Sequence, residues 1–187
     1  RYEEVVELLS TKVKKYPNNT DFHNLAHSYY MLGNINEAYI NCQKALYISE
    51  DETSFFLMGE CLFAKKEYQE SVHWYKKALS FMEESEGTFS FSDERMKFVS
   101  ISIDSRQTLK TIYLNLIHAF LETGDYLSAR AYYDIACTKF PYDHDVRKLL
   151  STINSLESKT YKIEEINSKV QAINNELTEQ KRLLQER

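Results

Sequence analysis

The chain repeats itself. When the stretch from Phe22, FHNLAHSYYMLGNINEAYINCQKALYI, is laid over FFLMGECLFAKKEYQESVHWYKKALSF from Phe55, equivalent residues stand 33 positions apart. Ala26 then falls on Gly59, Ala38 on Ser71 and Ala45 on Ala78. A third copy, YLNLIHAFLETGDYLSARAYYDIACTKFP from Tyr113, keeps the same order of parts but lies 58 residues beyond the second. A period near thirty marks a unit too small to bury its own apolar face, so the copies must stack on one another to make a core.

The units are helical. Only four Gly and two Pro punctuate the 187 residues, too few for a sheet-rich chain that turns every ten residues or so. Fourteen Tyr and ten Phe recur at spacings of three, four and seven, as on helix faces. Small residues recur at equivalent places of the copies, at Ala26 and Gly59 and again at Ala38, Ser71 and Ala129.

Small residue, aromatic, Gly-Asp-Tyr turn, Ala, aromatic, Ala, then Pro: this order resembles the tetratricopeptide repeat. The resemblance implies an all-α fold, a right-handed α-solenoid of helix-turn-helix repeats followed by a long C-terminal helix. It implies a partial repeat over 2–16, repeats over 19–52, 52–85 and 110–142, and an insertion over 86–109. Ala45, Ala78 and Ala136 would let the next repeat stack, while Tyr29, Leu62, Phe120, Cys42, Tyr75 and Tyr133 fill the space between helices. Ile117 is the larger residue where the pattern has a small one. Gly33 and Gly124 suit the left-handed residue that ends a helix, and Lys66 at the equivalent place departs from it. Pro17 and Pro141 stand where the family puts its helix-terminating proline, so residues 2–15 read as the second helix of an upstream repeat. A chain opening at Arg1 with no leader-like stretch reads as part of a longer protein.

The insertion has another composition. Phe89 and Phe91, then Val99, Ile101 and Ile103, alternate with polar residues as in short strands, whereas Met96, Val99 and Ile103 also suit a helix. Some peptidyl-prolyl isomerase co-chaperones built of these repeats have one repeat with lengthened helices and a long internal connection, and residues 55–140 are similar to that arrangement. A solvent loop and a lid over a binding site are both open readings of it.

From Asp143 to the end there is neither Pro nor Gly. Residues 143–157 are expected to cap the last repeat, as solenoid ends require. Beyond them Ile163, Ile166, Val170, Ile173, Leu177 and Leu184 keep alternating three- and four-residue spacing, broken by Gln180, which is a heptad seam for dimerisation or for a partner helix.

Charge and cysteine content narrow the function. Residues 143–187 hold eight acidic and eight basic side chains, so the net charge of −5 resides in residues 1–142. No concentrated cationic surface is offered to phosphate backbones, and no nucleic-acid partner is expected. No apolar run is long enough to cross a membrane. Cys42, Cys61 and Cys137 are odd in number and far apart, which points to free thiols in an intracellular, cytoplasmic or nuclear setting. Asn18-Asn19-Thr20 matches a glycosylation acceptor, a short and unspecific signal.

In the tetratricopeptide family the first helix of each pair lines the concave surface. Carried onto this sequence, that surface presents His23, His27, Tyr30 and Met31, then Phe56, Glu60 and Phe63, then Leu114, Asn115, His118 and Leu121. A well-known use of the fold is a Lys, Arg and Asn clamp for a C-terminal carboxylate. Asn115 fits one clamp position, but Phe56 and Glu60 stand where Lys and Asn are required, and Glu60 would repel a carboxylate. An aromatic, neutral to slightly acidic groove is instead expected to hold a peptide with apolar anchors and a basic residue. His23 and His27, four apart, are too sparse a pair to expect a metal, and no cofactor is expected. No nucleophile elbow, phosphate loop or paired-carboxylate motif points to an enzyme. The expected function is a non-enzymatic interaction scaffold. The alternative is a sensory segment whose repeats pass a signal through the heptad helix to an effector.

Overall fold

The computed structural model describes residues 2–87 and 103–185. These form eight helices and no strand: α1 (Tyr2–Lys15), α2 (Asn19–Met31), α3 (Ile35–Ile48), α4 (Glu52–Ala64), α5 (Tyr68–Gly87), α6 (Ile103–Thr123), α7 (Tyr126–Lys139) and α8 (His144–Gln185). They divide into two compact units, residues 1–142 and residues 143–187.

In the first unit each helix from α1 to α7 packs against the next, and α2 also meets α4. The chain is thus an all-α stack of helical hairpins. Helix starts are written into short polar side chains. Asn18, Asn34, Asp51 and Asp125 each accept a hydrogen bond from the backbone N–H three residues on, at 2.9, 3.4, 2.8 and 3.0 Å. This satisfies donors that the first turn leaves open. Asn18 also donates to Asp21 Oδ2 at 2.5 Å, so the residue of the glycosylation-like string is a helix cap.

The hairpin turns are closed in one way. Asn34 N–H reaches Tyr29 C=O and Gly33 N–H reaches Tyr30 C=O, both at 2.9 Å. Glu67 and Lys66 bond Leu62 and Phe63, and Asp125 and Gly124 bond Phe120 and Leu121, in the same pattern. This is the double closure of a Schellman turn, which needs a left-handed residue. Gly33 and Gly124 supply it at φ 76° and 77°, and Lys66 adopts it at φ 64° despite its side chain. The departure seen in the sequence is one of residue type and leaves the turn geometry unchanged.

Close approach explains the small residues. Ala26, Ala38, Ala45, Ala78, Ala129 and Ala136 are wholly buried, as is Ser71. Bulk is traded across each hairpin: Ala26 accompanies Cys42 in the first copy, whereas Gly59 lies under the buried ring of Tyr75 in the second. The third copy accommodates Ile117, also fully buried, with Tyr133. The α1 helix joins the stack through an ion pair, Lys12 Nζ to Asp21 Oδ2 at 2.7 Å.

The junction between the first and second copies is held by Asn19. Its amide nitrogen lies 3.1 Å from Ala45 O, 2.8 Å from Ser49 O and 2.9 Å from Asp51 Oδ2. Ala45 O also accepts from Ser49 N–H at 3.1 Å, Ser49 is the C-cap of α3, and Asp51 is the N-cap of α4.

At 20 and 21 residues, α5 and α6 are longer than α2, α3, α4 and α7. Both ends of the insertion are therefore helical, and Ile103 opens α6. Phe89, Phe91, Met96, Val99 and Ile101 lie outside the described residues.

The second unit is one helix of 42 residues, α8, started by Asp143, whose Oδ1 accepts from Asp145 N and Val146 N. Val146, Leu149 and Ile153 are buried. From Tyr161 to Arg182 every residue is exposed, including Ile163, Ile166, Val170, Ile173 and Leu177 of the heptad seam. The Leu184 side chain lies outside the described residues.

Candidate interaction groove

The side chains singled out on α2, α4 and α6 are half-buried or exposed, apart from Leu121, which is buried. Three of them meet at one carboxylate. Tyr30 donates its hydroxyl to Glu60 Oε2 at 3.2 Å, and Asn115 donates its amide to Glu60 Oε1 across the insertion. A fourth residue, Tyr75 of α5, donates to Glu60 Oε1 at 2.6 Å. Glu60 thus binds four helices, α2, α4, α5 and α6, to one point.

Its surroundings are aromatic. Phe56 lies one turn before Glu60 on α4, with its ring 6.1 Å from that of Tyr75, and Phe63 lies nearly one turn after, edge-on to Tyr68 at 5.2 Å. Burial, then the neighbouring carboxylate charge and its hydrogen bonds, push the phenols of Tyr30 and Tyr75 well above their ordinary range. Both shifts favour the protonated, donating form of the phenol.

The two histidines of α2 turn to different partners. His23 Nδ1 lies 3.2 Å from Ser54 Oγ on α4, and burial lowers the pKa of its ring. His27 is exposed and packs edge-on with Tyr2 at 6.1 Å between ring centroids. His118 and Met31 are exposed, and Leu114 is half-buried on α6. Among the described residues no group of three or more His, Cys, Asp or Glu is placed to hold a metal ion, and no helix is long and apolar enough to cross a membrane.

Sequence reasoning placed Tyr75 only in the packing between helices. Its reach to Glu60 follows from Gly59, since the missing side chain lets the Tyr75 ring lie directly against α4. The Asn115 contact had no local signal, because the two residues are 55 positions apart across an insertion of unrelated composition.

A family model described as the tetratricopeptide repeat matches residues 22–52 and 53–81. The fold is similar to that of RapI in its apo form, with a TM-score of 0.61 and 16% identity over 84% of this chain and 56% of RapI. The chain therefore spans little more than half the length of that protein. MamA aligns with a TM-score of 0.45 and 15% identity, over 86% of this chain and 91% of MamA. The C-terminal part of a TPR repeat-containing protein from Cytophaga hutchinsonii aligns at 0.41 and 14%, over 85% of this chain and 67% of that one. No curated protein matches.

Proposed function

The chain is a tetratricopeptide-repeat helical protein, and from that premise we propose that it is a non-enzymatic protein-interaction scaffold. Its groove, lined by His23, His27, Tyr30, Phe56, Glu60, Phe63, Leu114, Asn115 and His118, takes an extended peptide of a partner. The observation that carries this reading is the convergence of Tyr30, Tyr75 and Asn115 on Glu60. It fixes the first helices of three copies relative to one another, and a preformed surface loses less entropy on binding than one that must be ordered first. The half-buried rings of Phe56 and Phe63 beside it are the kind of anchors that dominate such binding. The exposed seam of α8 serves dimerisation or assembly, because five large aliphatic residues on one helix face are stabilised by covering them.

Peptides selected from a displayed random dodecapeptide library on the full chain, then measured by fluorescence polarisation, test the groove. Phe56→Ala with Phe63→Ala weakens such peptides by about thirtyfold or more if the rings are anchors, the scale of roughly 2 kcal/mol or more for hot-spot residues. Unchanged affinity would falsify the groove.

A second reading, a sensory segment that passes ligand binding along α8, draws on the unbroken 42-residue length of that helix. It requires the association state of α8 to change when the selected peptide binds, which sedimentation with and without peptide measures.

A further inference from the structure

Glu60 sets the chemistry of the ligand, provided that the groove binds a peptide as proposed. Among the described residues its carboxylate accepts only from neutral donors, two phenols and one amide. It is absent from every ion pair among the described residues. Lysines of the same hairpin have other partners: Lys65 pairs with Glu67 at 2.8 Å and lies over the Tyr39 ring, Lys76 lies over Phe120 and Tyr132, and Lys77 over Phe55 and Trp74. The hydrogen bonds satisfy lone pairs at a half-buried position, and none of the three donors is cationic.

A carboxylate offers about four acceptor sites. Oε1 takes Tyr75 and Asn115, and Oε2 takes only Tyr30, so Oε2 has capacity for one more donor. An acidic ligand group would be repelled there, and an apolar one would strip water from an uncompensated charge. A cationic group meets both needs, and Phe56, one turn before Glu60 on α4, is a ring of the kind that attracts cations. The −5 charge of residues 1–142 favours the approach of a basic segment.

We infer that Glu60 anchors an Arg or Lys side chain of the bound peptide, set between aromatic or aliphatic residues that pack on Phe56 and Phe63. Glu60 is then the residue that makes the groove select basic peptides over neutral or acidic ones.

The test uses the full chain and the same displayed dodecapeptide library. Enriched peptides are expected to share an Arg or Lys within a few residues of an aromatic or large aliphatic side chain. Replacing that Arg by citrulline, which keeps its shape and removes its charge, weakens binding about tenfold on the unaltered chain, the scale of one charge-assisted contact. On Glu60→Gln the same replacement changes affinity by less than about twofold, with the fold of the variant verified by circular dichroism. Enriched peptides without a basic residue, or a citrulline effect undiminished on Glu60→Gln, overturn the inference and leave the groove standing. A citrulline peptide that binds the unaltered chain as well as the Arg peptide overturns it without recourse to any variant. A library that enriches nothing overturns both.

Discussion

A Cβ built on Gly59 would stand 2.6 Å from both Cδ1 and Cε1 of Tyr75. Neither partner can easily yield, since the Tyr75 ring is fully buried and its hydroxyl is fixed to Glu60. Gly59→Ala gains about 1 kcal/mol of helix propensity yet overpacks the hairpin by about 1–3 kcal/mol. The expected net result is a loss of roughly 1 kcal/mol in urea unfolding, with weaker peptide binding because Glu60 shifts. A more stable Gly59→Ala variant would show that α4 and α5 are less tightly apposed than this.

Lys66 holds a left-handed backbone that Gly33 and Gly124 adopt freely in the other copies. For a residue with a Cβ that conformation costs roughly 1 kcal/mol. Lys66→Gly is therefore expected to raise stability by about 0.5–1 kcal/mol, and Gly33→Ala to lower it by a similar amount. Chemical denaturation of the two variants gives opposite signs if both positions are left-handed.

Asp21 carries a pH dependence. Its hydrogen bond from Lys12, then that from Asn18, hold its carboxyl below the usual carboxylate range. A depressed folded-state value stabilises the fold fully above the unfolded value of about 3.9. The contribution disappears as pH falls through the lower folded value. Asp21→Asn is expected to be less stable at neutral pH and to decline less between pH 5 and pH 3, as followed by the urea midpoint.

The thiols of α3 and α4 should be inert in the native state. Burial pushes Cys61 up to about 12, with the Glu60 charge adding to it, and pushes Cys42 further, where its Sγ also lies 3.1 Å from Ser54 O. Thiolate is the reactive form, so iodoacetamide at pH 8 labels Cys42 and Cys61 only through unfolding. Mass spectrometry should show their labelling rising with urea along the same curve as loss of helix.

The seam of α8 predicts association. Sedimentation of the full chain is expected to show a species larger than the monomer, and Ile166→Asp with Ile173→Asp to return it to monomer without loss of repeat stability. A monomer at high concentration before any substitution would remove the role proposed for residues 160–187.

The repeat was legible because the 33-residue offset places small residues in register, and small residues are where helices must touch. The second turn was less so: its residue type says nothing of glycine, while the two backbone bonds across Leu62, Phe63, Lys66 and Glu67 close it regardless. Helix limits near the insertion could not be read, because alignment to the other copies stops at 85 and 110 whereas α5 runs to Gly87 and α6 starts at Ile103. At the groove, family resemblance pointed to the faces of α2, α4 and α6. It could not point to the meeting of Tyr30, Tyr75 and Asn115 at Glu60, which depends on how neighbouring hairpins are rotated against each other.

Asn19 has a consequence for how the array comes apart. Its amide group meets carbonyls at the end of α3 and the N-cap carboxylate of α4 together, so fraying at the end of one hairpin also loosens the start of the next. Hydrogen exchange at these two places should proceed in step, and Asn19→Ala should uncouple them, turning a single concerted opening into two.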